Sequence, residues 1–518
     1  MISVSDAWKE AQRGLLVPLS DIRIEYNVTD PGVQEDAEAA GTLEEHISRA
    51  DLVVNELRRD EAKYASLERN LFILDGTYRA LPSTLPPADG FISSVLSGDD
   101  GTFAEIPTIT ISFSKVYPNT VPGVTVTWSE TYEEYARAYR VTAYNGETQV
   151  AKLEVTDNTS VISYAWVPIA GYDRIVVEIL KWSLPHHRAR MIEVLVGIKQ
   201  IYTKKDLMGY EHSQTVDLLS AKLPKNSIVF KLDNSDNKWN PDNPQGAERY
   251  LIARQTLVVK YGLMLDGQME WIKAGTFFMS EWKTPENGLL ATFTARDRLE
   301  FCNEVYAGPT TGTLREIAAA ALEQSGIDPE DYVLDVSLES VTTTFEISKT
   351  NPPTCAEILQ MVANAGKCCL WQSRDAVLHI EPLNTRLTDY VIGKLGEDDL
   401  SNAYAHPEFT LTKELKSVDV NRGMGAAVNG TEGTVQSVNN DLIVDAKTAN
   451  AVAEWCRDVL KDRKIVSGKF RADPRLDALD KITVVSKYGT QEVYLTEVKY
   501  SYSGAFQGTY KGRVREGG

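Results

Sequence analysis

The chain has 518 residues, 43% of them hydrophobic and 25% charged, which is close to an ordinary soluble globular protein and enough for three or four domains. Its 73 Asp and Glu against 54 Lys and Arg leave a net charge of −19, so it lacks the cationic excess with which proteins grip the outside of DNA. An acidic surface suits plain solubility, or a conduit that DNA passes through without sticking.

Residues 1–14 contain no apolar core of signal-peptide length, and no later stretch reaches 18 apolar residues. The expectation is a chain made in a bacterial-type cytoplasm, with no membrane span. The charged run at 43–65 is a candidate helix. Period-two alternation follows at Ile109–Phe113, Val124–Trp128, Val176–Ile179 and Val493–Thr496, as in half-buried strands. Turn signals stand at Asn145-Gly146, Asp266-Gly267, Asn287-Gly288 and Tyr488-Gly489-Thr490.

Three helices interrupt this pattern. Thr313 and Glu316 form a capping box ahead of Leu314, Ile317, Ala318, Ala321 and Leu322, with Gly326 as the stop. Thr354 and Glu357 repeat the device ahead of Ile358, Leu359, Met361, Val362 and Ala365, with Gly366 closing. A third helix runs from about Asp445 through Val452, Trp455, Val459 and Leu460.

Self-similarity links the two halves. Val258–Gly262 precedes Phe277–Lys283, and Val485–Gly489 precedes Val493–Lys499. Each reads as a strand, a Lys-Tyr-Gly turn, and a strand ending hydroxyl-Glu-apolar-Lys. Two copies of one β-barrel or sandwich unit per chain follow from this echo. A trimer would then present six equivalent units, a three-fold ring imitating six-fold symmetry.

The candidate sites are sparse. Cys302, Cys355, Cys368, Cys369 and Cys456 form no CxxC pattern, and the six histidines show no metal spacing. No cofactor is expected. Asp233, Asp236, Asn237, Asn240 and Asp242 could suggest a calcium loop, but the EF-hand Gly is missing and Pro244 stands where the bidentate Glu belongs. Asx turn chemistry fits better, so Asp233, Asp236, Asn240 and Asp242 read as a turn or inter-subunit loop. Trp128 and most of the aromatics between 100 and 197 read as core. Tyr132, Tyr135 and Tyr139 recur at helical spacing, consistent with a short amphipathic turn. Tyr132, Tyr135, Trp166 and Tyr172 are the candidates for stacking on a glycan. His186 and His187 would point to opposite faces. Neither a nucleophile elbow nor a phosphate loop occurs.

Asp473 through Asp480, with the strands after it, resembles the closing domain of tail-associated hub proteins of tailed phages and prophages. Leu232–Asp236 through Trp239–Pro244 resembles a turn-rich signature in their first tube-like domain, and the two capped helices followed by Leu370–Ile380 resemble their small α/β module. Trp182–Pro185, Arg188–Ile192 and Gly197 resemble the end of a jelly-roll, galactose-binding-like insert. The resemblance covers roughly 100–518. It implies a mainly β fold with an α+β insert: a first tube-like domain at 1–99 and 198–305, an inserted jelly-roll at 100–197, a small α/β domain at 306–385 and a second tube-like domain at 386–518.

The same resemblance implies a non-enzymatic baseplate hub at the tail tip of a virion, a homotrimer around the channel for DNA and tape-measure protein. Its expected partners are tail tube or distal-tail subunits above and a tip, fibre or receptor-binding protein below. No sequence-specific nucleic acid is expected. The alternatives are a carbohydrate-binding host-recognition tail protein, a hexameric distal-tail protein and a glycan-processing enzyme of β-sandwich architecture.

Overall fold

Alternating burial carries much of the chain into largely antiparallel sheets, and among the described residues four segments form α-helices. The computed structural model describes residues 4–13, 19–30, 32–54, 63–79, 90–240, 242–243, 247, 250–285, 289–383, 390–393 and 402–515. It divides into two units, one made of 1–24, 202–246 and 257–518, the other of 25–201 and 247–256.

The second unit holds two sheets. The strands are β1 (Glu38–Gly41), β2 (Phe91–Leu96), β3 (Thr108–Tyr117), β4 (Val124–Trp128), β5 (Ala136–Asn145), β6 (Thr148–Val155), β7 (Ile162–Ala165), β8 (Tyr172–Trp182) and β9 (Arg188–Leu195). They are ordered β2-β9-β4-β7 in one sheet and β1-β3-β8-β5-β6 in the other. Both contribute to one core, where Trp128 meets Tyr139 at 5.2 Å and Trp182 at 5.9 Å between ring centroids, the edge-on geometry that aromatic quadrupoles favour.

Two expectations fail in this unit. The run at 43–65 is not an α-helix where it is described: Leu43 has φ +54 and Ala50–Val54 is a short 3-10 turn burying Val53 and Val54, while 55–62 lie outside the described residues. The tyrosine spacing at 132, 135 and 139 is not helical either. Glu133 turns the chain with φ +54, and Tyr139 lies in β5 as core.

In the first unit one five-strand pattern occurs twice. The first set is β10 (Leu207–Thr215), β11 (Lys225–Asp233), β12 (Thr256–Leu265), β13 (Gln268–Lys283) and β14 (Leu290–Arg296). The second is β15 (Glu408–Leu411), β16 (Lys464–Phe470), β17 (Lys481–Ser486), β18 (Gly489–Tyr502) and β19 (Phe506–Val514). The orders are β12-β13-β14-β11-β10 and β17-β18-β19-β16-β15, the same with respect to chain order, and β10 pairs with β18 to join the sets.

The echo is thus supported in its second strand and corrected in its first. The register of β13 on β14 slips between Met279 and Glu281, and that of β18 on β19 between Leu495 and Glu497. Ser280 and Thr496 are therefore matching bulge residues, which bend the strand and sharpen its twist. The Lys-Tyr-Gly stretches do not match. Lys260-Tyr261-Gly262 lies within β12 with Tyr261 buried, and the turn comes later, at Asp266-Gly267, where φ is +47 and +85, as a tight hairpin demands. Lys487-Tyr488 is itself the turn, with Tyr488 84% exposed. The Asn287-Gly288 turn lies outside the described residues.

Both capping boxes form, each with the Thr hydroxyl taking the amide of the Glu and the Glu reaching back, on α1 (Leu314–Gln324) and α2 (Cys355–Ala365). A cap is worth about 1 kcal/mol. Gly326 has φ +70 as expected of a stop, but after α2 it is Lys367 that takes the left-handed conformation. Gly366 is required instead by space, since a Cβ there would collide with Leu338 Cδ2. α3 (Ala446–Leu460) starts on Asp445, whose carboxylate accepts from the Thr448 amide. The three helices contribute to one buried cluster that includes Ile317, Leu359, Val452 and Leu479.

Candidate assembly surfaces and buried polar junctions

The β10–β18 pairing runs from Tyr210 opposite Tyr502 to Thr215 opposite Glu497. Alternation turns Tyr210, His212 and Gln214 inward, where polar groups must find partners. The His212 ring nitrogens lie 2.9 Å from Tyr261 Oη and 2.9 Å from Asn226 Oδ1, and the Tyr210 and Tyr261 hydroxyls are 2.8 Å apart. Burial disfavours the imidazolium and pushes the His212 pKa down to about 4.

Residues 473–480 close this region. The Gln214 amide nitrogen donates to Asp477 Oδ1 at 3.0 Å, its oxygen accepts from the Ala478 amide at 2.9 Å, and Tyr500 Oη donates to the Leu476 carbonyl at 2.8 Å. From the helical module, Arg374 donates Nε to both Asp477 oxygens, Nη1 to the Lys273 carbonyl at 2.8 Å and Nη2 to the Pro474 carbonyl at 2.7 Å. One guanidinium thereby ties both strand sets to the module. A cavity of about 20 Å³, room for a single water, lies beside it, lined by Gln214, Asn226, Asp297, Trp371 and Asp477 among others. Burial pushes the Asp297 carboxyl up to about 7, against the hydrogen bonds from the Asn226 and Leu299 amides.

The loop from Asp233 to Asn243 is built from local bonds. Asp233 accepts from the Ser235 amide at 3.1 Å, Asp236 from the Lys238 amide at 2.9 Å and Asn240 from the Asp242 amide at 2.9 Å. Asp233, Asp236 and Asp242 are exposed and Asn240 half-buried, while Trp239 is buried against Phe293 at 5.1 Å. Among the described residues no three His, Cys, Asp or Glu side chains gather to hold a metal. All five cysteines are buried and none is in a disulfide.

In the other unit the four candidate aromatics do not share a face. Tyr172 is fully buried between Phe113 and Tyr117, with centroids at 5.5 and 5.9 Å. Tyr132 is half-buried beneath the Arg190 guanidinium at 4.6 Å, and its hydroxyl accepts from the Tyr64 amide at 2.8 Å. Tyr135 is half-buried. Trp166, 56% exposed beside Tyr164, is the member of the four open to solvent.

Sequence reasoning missed a buried ionic cluster in this unit. Glu134 accepts from Trp182 Nε1 at 2.7 Å and lies 2.8 Å from His187 Nδ1, while Arg190 donates to Glu68 at 2.9 Å. Burial opposes charge on His187 and is the largest single influence, but the Glu134 hydrogen bond and the charges of Glu134 and Glu68 together outweigh it and hold the imidazole above its ordinary pKa. His186, by contrast, is exposed and faces Asp99 at 2.9 Å. The two histidines share no site, as their adjacency suggests.

No family model and no curated protein matches the chain by sequence. Among solved structures, it is similar to the 43 kDa tail protein of prophage MuSo2 from Shewanella oneidensis, at 12% identity and TM-score 0.41, over 60% of this chain and 94% of that one. It is similar to a tail protein from Neisseria meningitidis MC58, at 13% identity and TM-score 0.42 over 61% and 93%. The prophage tail protein gp18 from Listeria monocytogenes EGD-e matches at 10% identity and TM-score 0.38, over 62% and 93%. All three are tail proteins.

Proposed function

We propose that this chain is a non-enzymatic structural subunit of a phage-type tail tip, a baseplate hub that closes with two further copies into a ring. The observation that carries the reading is the five-strand order occurring twice in one chain, with a bulge before the matching Glu281 and Glu497. Three chains then supply six equivalent units, which lets a three-fold part meet a six-fold tube. Two tube-like domains, one built on each five-strand set, an inserted jelly-roll and a small α/β module belong to this proposal. So do the partners: tube or distal-tail subunits above, a tip, fibre or receptor-binding part below, and DNA and the tape-measure protein in the channel.

Native mass spectrometry and electron microscopy of the purified chain test it. A closed three-fold ring is expected. A six-fold ring would turn the reading to a distal-tail role, and a monomer at every concentration would end it.

A further inference from the structure

The junction inside the chain provides a template for a junction between chains. Following the pairings outward from Glu281 leads to Thr294, Val229 and Glu211; following them from Glu497 leads to Lys511, Ser467 and Glu408. The repeats thus superpose Glu211 on Glu408 and, residue by residue, His212 on Phe409, Ser213 on Thr410 and Gln214 on Leu411.

In the first repeat this edge strand is covered, and His212 and Gln214 are buried against β18. In the second repeat all four residues of β15 are exposed, and among the described residues the sheet ends there. The positions that match the buried His212 and Gln214 are Phe409 and Leu411, 38% and 63% exposed. Polar Glu408 and Thr410 alternate with them. An apolar face on an unpaired edge strand invites another strand.

The matching acceptor is present in the first repeat. In the second, β17 pairs with Gly489–Tyr494 of β18, which leaves Glu497–Tyr502 to receive β10. Likewise, from the turn at Asp266-Gly267 the ten residues of β12 reach only to about Phe277 of the sixteen-residue β13. Among the described residues β13 has only β12 and β14 as neighbours. The edge at Glu281–Lys283 therefore stands where β18 receives its partner, with Trp282 half-buried and Lys283 exposed.

We propose that β15 of one chain adds as an antiparallel strand to the Glu281–Lys283 edge of β13 in a second copy, in the register of β10 on β18. Thr410 then lies opposite Lys283, and Leu411 opposite Trp282. This deepens the ring reading and rests on it: the contact that joins two repeats within a chain is reused to join chains.

Disulfide trapping in the full chain tests the register. Val216 donates to the Thr496 carbonyl at 2.9 Å, which makes Ser213 and Lys499 a non-hydrogen-bonded pair, the kind with the closest side chains. Thr410→Cys and Lys283→Cys reproduce that pair on exposed positions, and the five native cysteines are buried. Mild oxidation of the two single variants mixed together is expected to give a covalent dimer, at least tenfold above either variant alone. The out-of-register mixture of Glu408→Cys with Lys283→Cys should give little.

Leu411→Asp, at an exposed position, should keep the fold by circular dichroism and weaken self-association at least tenfold. A ring seen by native mass with no dimer in the first mixture, or with equal yields in both, overturns this register and leaves the ring reading standing. A chain that stays monomeric overturns both.

Discussion

The Arg374 guanidinium lies against the Asp477 carboxylate, its Nε 3.0 and 3.1 Å from the two oxygens, although 103 residues separate them. Both side chains are nearly out of reach of solvent, so neither can be desolvated without the other.

Breaking that pair should be more costly than removing it. Arg374→Met leaves the Asp477 charge buried and should destabilise the first unit by on the order of 3–5 kcal/mol, whereas Arg374→Met with Asp477→Leu should recover much of the loss. Urea titrations of the single and double variants measure this. A double variant as unstable as the sum of its parts would show that the two residues act independently.

His212 and Asp297 should tilt stability with pH in opposite directions. The folded His212 pKa is about 4, below the unfolded value, so from pH 4 to about 6.5 the unfolded chain holds the extra proton and stability rises with pH, by up to roughly 3 kcal/mol. The folded Asp297 pKa is about 7, above the unfolded value, so from about pH 4 to 7 the folded chain holds the extra proton and stability falls with pH. The native chain should therefore change little through this window. His212→Gln should become less stable as pH rises and Asp297→Asn more stable, read from urea midpoints at pH 4.5 and 7. Two variants that track the native chain would remove both groups from the account.

If the second unit contacts host glycans, Trp166 should carry the stacking. Tyr172 is buried and the ring of Tyr132 lies under Arg190, which leaves an exposed indole to cover a sugar face. Trp166→Ala in the full chain should abolish retention on cell-wall material at millimolar sugar, and Tyr172→Phe should not. Equal retention by both variants places any glycan contact elsewhere, and no retention by the native chain ends the role.

The inner wall of the assembled ring should be acidic. Each chain brings a charge of −19, and a wall of that sign repels phosphates and keeps DNA from sticking. Mapping Asp and Glu onto an electron-microscopy reconstruction of the ring reads this directly. A neutral or basic lumen would contradict it.

Much of the local structure was legible without coordinates. Thr313 with Glu316 and Thr354 with Glu357 announced their helices because a cap is completed within four residues of chain. The matching Glu281 and Glu497 signalled a repeated strand because a bulge constrains the residues around it. The Lys-Tyr-Gly match misled because the same three residues are tolerated inside β12 and at the turn before β18, and nothing local separates the two. The run at 43–65 misled because charge at helical spacing cannot reveal that Leu43 turns left-handed.

What the sequence determined by itself is therefore the inventory: a mainly β chain, its capped helices, its acidic balance and its internal echo, all set by interactions a few residues long. The tertiary structure decided the partnerships. Period-two alternation is the same in a covered strand such as β10 and an open one such as β15, and an aromatic at the end of a strand reads alike whether it is buried like Tyr172 or exposed like Trp166. Burial and pairing depend on residues a hundred or more positions away, as Arg374 and Asp477 do, and only the folded chain brings those together.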